Sequence, residues 1–86
     1  MNEKFVYRNA KGQLHREDGP AIEYPDGYKI WYLNDKAHRE DGPAVKWPNG
    51  TKNWFLDDYA YSKKDYYKEL VKRGIVTYED AVLEML

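Results

Sequence analysis

A seven-residue block that occurs twice, 23 residues apart, is the feature that most constrains how this chain can fold. Residues 15–21 read HREDGPA, and residues 38–44 read the same. The similarity continues as far as Asp35 in the first copy and Asp58 in the second. Self-similarity at a fixed period indicates stacked supersecondary units, none of which can bury its apolar face alone. Such scaffolds usually bind other molecules, so the repeat favours a binding function over catalysis.

Each repeat contains two turn signals. One is Asp-Gly at 26–27 or Asn-Gly at 49–50, a strong hairpin signal because a type I′ turn needs positive φ at both central positions. The other lies at 34–36, with Asp-Asp at 57–58 in the matching place. The strand-like runs between these turns are 21–24, 28–33, 44–47 and 51–56. Two strands and two turns per repeat predict an antiparallel β-meander.

The predicted turns also set a register. A two-residue turn at 49–50 pairs Val45 with Trp54, and the same turn in the first repeat pairs Ile22 with Trp31. Tryptophan, leucine, isoleucine and valine then share one face. We expect the helices described next to cover that face, and the alternative is that they cover the other. The face left open carries Tyr28, Ile30, Tyr32, Lys46, Asn53 and Phe55.

The segments outside the repeats complete the predicted fold. Residues 5–8 read as a strand of a degenerate earlier unit, and residues 59–61 as a short last strand. Ser62 and Thr77 are typical helix N-caps, and Gly74 is a typical helix stop. The apolar stripe of the second helix is Tyr78, Ala81, Val82, Met85 and Leu86. We predict one α+β domain: a twisted sheet of five to six strands in 1–61, then two short helices in 62–86.

Composition restricts the classes of function. The net charge of −1 does not favour a basic nucleic-acid binder or an acidic nucleic-acid mimic. Because cysteine is absent, disulfides, cysteine zinc sites and thiol chemistry are excluded. No stretch is long enough to span a bilayer, and the N-terminal residues lack the apolar segment of a secretion signal. We expect a soluble cytoplasmic protein without membrane contact.

The repeated block contains groups that could perform chemistry, but their spacing argues against a joint site. Equivalent residues lie two strands apart, so His15 and His38 are expected about 10 Å from each other, too far to share one metal ion. Adjacent glutamate and aspartate point to opposite faces of a strand. We therefore expect no metal, no cofactor and no enzyme. Arg16 and Arg39 are expected to pair with nearby carboxylates, and the histidines to pack beside the following turn. The alternative is that this ridge is itself a recognition surface.

Residues 31–44, WYLNDKAHREDGPA, resemble a unit found in small repeat proteins of bacteriophages and large DNA viruses. That unit is similar to the MORN (membrane occupation and recognition nexus) repeat, which forms successive β-hairpins. The resemblance covers residues 5–58 and implies a non-catalytic scaffold that recognises protein. For a phage-encoded chain it implies an accessory or counter-defence (anti-defence) inhibitor of a host complex in the host cytoplasm. Because arginine rather than glycine follows each histidine, a membrane role is not expected.

The leading prediction is a protein-binding module, as a monomer or as a homodimer paired through its sheet edges. One alternative is single-stranded nucleic-acid binding through Tyr28, Tyr32, Phe55 and nearby lysines. A second alternative is hydrolytic chemistry at the His-Arg-Glu-Asp ridge. The predicted partner-binding residues are Tyr28, Ile30, Tyr32, Lys46, Asn53 and Phe55, followed by Arg16 and Arg39.

Overall fold

The structure is a computed structural model that describes residues 4–86. Its elements are β1 (Phe5–Val6), β2 (Ile22–Glu23), β3 (Lys29–Ile30), β4 (Tyr32–Leu33), β5 (Lys36–Ala37), β6 (Val45–Lys46), β7 (Lys52–Leu56), β8 (Tyr59–Tyr61), α1 (Lys63–Lys72) and α2 (Tyr78–Met85). A six-stranded antiparallel sheet has the order β1-β2-β3-β6-β7-β8, and β4 and β5 form a separate hairpin. The predicted α+β class, with a meander followed by two helices, is confirmed.

Three hairpins follow one another along the chain. They span residues 7–15, 31–38 and 54–61 and are called the first, second and third hairpin. In the first two, the N–H of the final histidine donates to the carbonyl of the opening aromatic residue at 3.1 Å. Tyr7 therefore takes the place that Trp31 and Trp54 hold in the later hairpins, which confirms the predicted degenerate unit. We call residues 16–20 the first loop and residues 39–43 the second loop.

The type I′ turns lie at the tips of the second and third hairpins. Asn34 and Asp35 have φ of 50° and 66°, and Asp57 and Asp58 have φ of 51° and 69°. Positive φ at both central positions defines this turn. Asparagine and aspartate occupy these positions because their short polar side chains tolerate the left-handed region better than other non-glycine residues.

The loops at 25–27 and 48–50 are three-residue turns, so the predicted type I′ turns at 26–27 and 49–50 are wrong. The Trp47 N–H donates to the Thr51 carbonyl at 2.9 Å, and of the three loop residues only Gly50 has positive φ (90°). Pro48 explains the difference. Its ring fixes φ near about −65°, which suits the first central position of a type I turn. Glycine then supplies the left-handed residue that closes a three-residue loop.

The longer loops shift the register by one residue. Val45 pairs with Asn53 rather than with Trp54, and the first repeat shows the same shift. Because directly paired residues share a face, the valine and the equivalent isoleucine lie opposite the tryptophans. The predicted face that combined tryptophan with isoleucine and valine is therefore wrong. We call the face that carries Trp54 and Leu56 the tryptophan face, and the other the open face.

The two helices pack on the tryptophan face at its C-terminal end. Five residues form the buried core there: Leu56, Tyr66, Tyr67, Leu70 and Ala81. Trp54, Tyr61, Val76 and Met85 pack against it while partly exposed. This confirms the expectation that the helices cover the tryptophan and leucine side chains, although they cover the third hairpin and not the whole sheet.

The helix boundaries follow the predicted signals. The side chains of Ser62 and Thr77 accept the N–H of the residue three positions later, and Gly74 has φ of 73° after α1. The stripe of α2 is only partly as predicted. Its middle is buried or half-buried, but Tyr78 and Leu86 are 67% and 91% exposed. Tyr78 begins α2 and Leu86 follows its last residue, so both lie outside the segment from Ala81 to Met85 that packs on the core. No helix in residues 4–86 is long and apolar enough to cross a membrane.

Candidate functional site

Each repeated loop is closed by its own arginine. Arg16 Nε donates to Asp18 at 2.9 Å and Nη1 to the Pro20 carbonyl at 3.2 Å. In the second loop Arg39 makes the same two bonds, at 2.8 and 3.0 Å. The two guanidinium groups lie over the opening aromatic rings of the first and second hairpins, at 4.2 and 4.0 Å. Identical sequence thus gives the same closed loop twice, and the arginines pair with the aspartates as expected.

The glycine of each loop is in close contact with this arginine. A Cβ on Gly19 would lie 2.9 Å from Arg16 Cζ, and a Cβ on Gly42 would lie 2.9 Å from Arg39 Cζ. Cβ contacts below about 3.0 Å do not occur without movement of a neighbour. Any larger residue would therefore push the guanidinium away from the loop.

The histidines hold the next turn, as the sequence predicts. His15 Nδ1 accepts the N–H of Asn34 at 3.1 Å, and His38 Nδ1 accepts the N–H of Asp57 at 3.0 Å. The third hairpin has Tyr61 at this position and no later hairpin to hold. Among residues 4–86, no group of three or more His, Asp or Glu side chains is placed to hold one metal ion.

The second loop is filled by a tyrosine from α1. The Tyr66 hydroxyl accepts the Gly42 N–H at 3.3 Å and donates to the Arg39 carbonyl. Its ring is fully buried, 5.1 Å from Trp54 and edge-on to Tyr67. Burial raises the pKa of Tyr66 to about 12. One phenol therefore satisfies a donor and an acceptor of the loop and packs on the third hairpin.

The equivalent space beside the first loop is an open groove of about 880 Å³. Four of its lining residues lie 23 positions before residues that surround Tyr66. These pairs are Arg16 and Arg39, Gly19 and Gly42, Trp31 and Trp54, and Leu33 and Leu56. The groove is therefore the first-repeat copy of the tyrosine site in the second repeat.

Equivalent residues are more deeply buried in the second copy, which Tyr66 fills, than in the first copy. Leu56 is fully buried by the helices, whereas Leu33 is only half-buried. Glycine and proline are buried in the second loop and half-buried in the first. Apolar side chains and backbone atoms are therefore accessible in the first copy, whereas the helices cover the equivalent atoms in the second copy.

The rim of the groove is acidic. Four carboxylates line it: Glu17, Asp18, Glu40 and Asp41. The bond from Arg16 holds the pKa of Asp18 below its usual value, so this group stays ionised. A smaller groove of about 330 Å³ contains Glu40 and Asp41 as well and adds Asp80 and Glu84. Ile75 and Val76, in the connection between the helices, form the apolar far wall of the larger groove.

The other predicted site residues lie elsewhere. Asn53 and Phe55 alternate with Trp54 along β7, so they belong to the open face with Ile30, the cross-strand partner of Val45. On this face Tyr28 stacks on Trp47 with ring centroids 4.6 Å apart. Tyr32 is the second-hairpin counterpart of Phe55. All five predicted residues of this face are half-buried: Tyr28, Ile30, Tyr32, Asn53 and Phe55.

Lys46 lies on the tryptophan face, so its predicted place on the open face is wrong. Its direct cross-strand partners are Lys29 and Lys52, and its Nζ is 5.7 Å from the Trp31 ring. The one-residue shift in register is the cause, because it turns every side chain of β6 to the other face of its partner strand.

The sequence prediction missed Leu33 and Gly19, which line the groove, and it missed Tyr66, which fills the second copy of the site. The repeat itself carried the available signal, since Leu33 and Gly19 recur as Leu56 and Gly42.

Comparison with known protein families, curated proteins and solved structures gives no match.

Proposed function

We propose that this chain is a non-catalytic protein-binding module whose contact surface is the groove between the first loop and the second hairpin. The observation that carries the proposal is the difference between the two copies of one site. The second copy is filled by Tyr66, whereas in the first copy Leu33 and the backbone of the loop face an open groove, beside the Trp31 ring that Arg39 partly covers. An apolar floor with a charged rim is the usual anatomy of a protein interface.

The alternative of single-stranded nucleic-acid binding has less support. That function combines stacking rings with basic side chains on one surface. The register instead separates Tyr28, on the open face, from Lys46 and its lysine neighbours on the tryptophan face. The carboxylates at the groove rim would also repel a phosphate backbone.

Hydrolytic chemistry at the His-Arg-Glu-Asp ridge is less favoured for a different reason. The histidine Nδ1 atoms accept backbone N–H groups, and each arginine is bound to its own loop. These contacts support a structural role for the polar groups of the repeated block. An inhibitory role in a phage would be one use of a protein-binding groove, and it remains a prediction from the resemblance.

The test is an affinity capture from a nuclease-treated bacterial lysate with three tagged variants. Leu33→Glu places a charge on the groove floor, Leu33→Met keeps the floor apolar, and Trp47→Ser alters the open face. We expect a defined protein to be retained by wild type, Leu33→Met and Trp47→Ser and to be lost with Leu33→Glu. Thermal melts establish that each variant is folded.

Two outcomes would contradict the proposal. Loss of the captured protein with Trp47→Ser but not with Leu33→Glu would move the contact surface to the open face. A partner that is retained only without nuclease treatment would favour the nucleic-acid alternative.

A further inference from the structure

We propose that the groove receives a tyrosine side chain from a basic segment of the partner protein. This inference rests on the proposed function and names the kind of partner that the same site takes. The repeat offers an internal comparison for it, because the second loop already binds a tyrosine.

The two loops offer equivalent binding sites. They have the same sequence and the same arginine bonds to aspartate and to the proline carbonyl. What binds one loop through backbone atoms therefore fits the other. In the second loop that ligand is the Tyr66 phenol.

The first loop offers the same donor and acceptor. The Gly19 N–H and the Arg16 carbonyl correspond to the two groups that Tyr66 satisfies, and within residues 4–86 neither makes a hydrogen bond. A backbone group that a partner covers without a hydrogen bond weakens binding, because the group loses its bond to water and gains none in return. A tyrosine hydroxyl can both donate and accept, whereas phenylalanine can do neither. The site therefore favours tyrosine.

The floor of the groove suits an aromatic ring. Trp31 and Leu33 take the places of Trp54 and Leu56, which contact Tyr66 in the second copy. The guanidinium of Arg39 lies 4.0 Å from the centre of the Trp31 ring, so a ring that enters the groove meets an aromatic side chain and a cation together. Both kinds of contact are favourable for a phenol ring.

The charge of the groove rim determines which residues are favoured beside the tyrosine of the partner. Asp18 and Asp41 are paired with arginines, and Glu40 lies 2.9 Å from His38. Glu17 has no ion-pair partner among residues 4–86 and leaves a net negative rim. Lysine or arginine beside the tyrosine complements that charge. The chain's own α1 has this basic excess, since Lys63, Lys64 and Lys68 lie within three residues of Tyr66, against the two acidic residues Asp65 and Glu69.

The experiment is a titration of the whole ¹⁵N-labelled protein with a synthetic peptide that copies residues 62–76. We expect the Gly19 amide and the Trp31 indole signals to shift progressively, while Gly42, whose site is filled, stays in place. A control peptide with phenylalanine at the position of Tyr66 should bind on the order of tenfold more weakly, because the two backbone groups are left unpaired. Replacing Lys63 and Lys64 of the peptide by glutamate should also weaken binding.

Several results would overturn the inference. One is the absence of any Gly19 shift at millimolar peptide, and another is equal binding by the phenylalanine peptide. Equal binding of N-acetyl-tyrosinamide would assign the site to small phenols instead. A shift of Gly42 without Gly19 would mean that the peptide only replaces α1.

The capture experiment separates this inference from the proposed function. If Leu33→Glu loses a protein partner but the peptide leaves Gly19 unshifted, the groove binds protein through another side chain. The proposed function then stands and the tyrosine inference is wrong. If the peptide shifts Gly19 but no protein depends on Leu33, the proposed function is wrong.

Discussion

At the scale of single residues, the repeated block is a set of side chains that bind their own backbone. Arg39 closes the second loop, Gly42 makes room for its guanidinium, and His38 holds the turn of the next hairpin. The two identical blocks differ only in what surrounds them. Tyr66 binds the second block and fills the site beside it, whereas the site beside the first block is left open.

Tyr66→Phe should lower the free energy of unfolding by about 1–3 kcal/mol at pH 8, because two buried loop groups lose their partner. Tyr59→Phe, at a position 73% exposed, is the matched control and should have little effect. Urea denaturation measures both. Equal stability of the two variants would show that the Tyr66 hydroxyl does not hold the loop.

The raised pKa of Tyr66 predicts a dependence on alkaline pH. Its folded value of about 12 exceeds the ordinary value of 10.0, so its contribution is complete below pH 10 and is lost as the pH rises toward 12. We expect wild type to lose more stability than Tyr66→Phe between pH 9 and pH 11. Parallel urea titrations at these two pH values test this, and identical losses would contradict it.

Lys46 is expected to reduce stability. It lies between Lys29 and Lys52, and like charges directly opposite on neighbouring strands are destabilising. Burial, and after it the neighbouring positive charges, lower the pKa of Lys46. The first repeat has Glu23 at this position, 3.5 Å from the Lys29 ammonium.

Lys46→Glu should therefore raise the free energy of unfolding by about 0.2–1 kcal/mol at neutral pH. Lys11→Glu, in an exposed turn, is the control with no expected change. The midpoints of urea denaturation decide between them. A lower midpoint for Lys46→Glu would mean that the contact of the lysine with the Trp31 ring outweighs the repulsion.

At the scale of elements, the sequence predicts which segments form strands and helices but not how the strands pair. Short-range signals in the sequence predict the alternating turns, the helix caps and the degenerate first unit. They do not predict the strand register, because Asn-Gly after proline closes a longer loop than Asn-Gly alone. That single residue moves Val45 and Lys46 to the faces opposite those predicted.

The same substitution in the two kinds of turn tests this assignment. Asn34→Gly and Asn49→Gly each remove one side-chain hydrogen bond. Asn34 has positive φ, which glycine adopts without strain, whereas position 49 lacks positive φ. We expect Asn49→Gly to cost about 0.5–1 kcal/mol more than Asn34→Gly. Thermal denaturation of the two variants measures the difference, and equal costs would favour the type I′ assignment at 49–50.

At the scale of the whole molecule, the helices end a series of hairpins that is covered at one end only. They bury the third hairpin and the second loop, and the first loop remains beside an open groove. The sheet also ends at β1 and β8, where the sequence places its edges, so pairing through them stays a prediction. The repeat could reveal equivalent positions, but not that a tyrosine 24 residues beyond Gly42 fills one of them.

The central claim is that the two identical loops differ because Tyr66 binds only the second. Amide hydrogen exchange at Gly19 and Gly42, measured by NMR in the whole protein, tests it most directly. We predict that Gly42 exchanges much more slowly than Gly19, and that Tyr66→Phe brings the Gly42 rate toward that of Gly19. Equal rates for the two glycines in the wild-type protein would contradict the account.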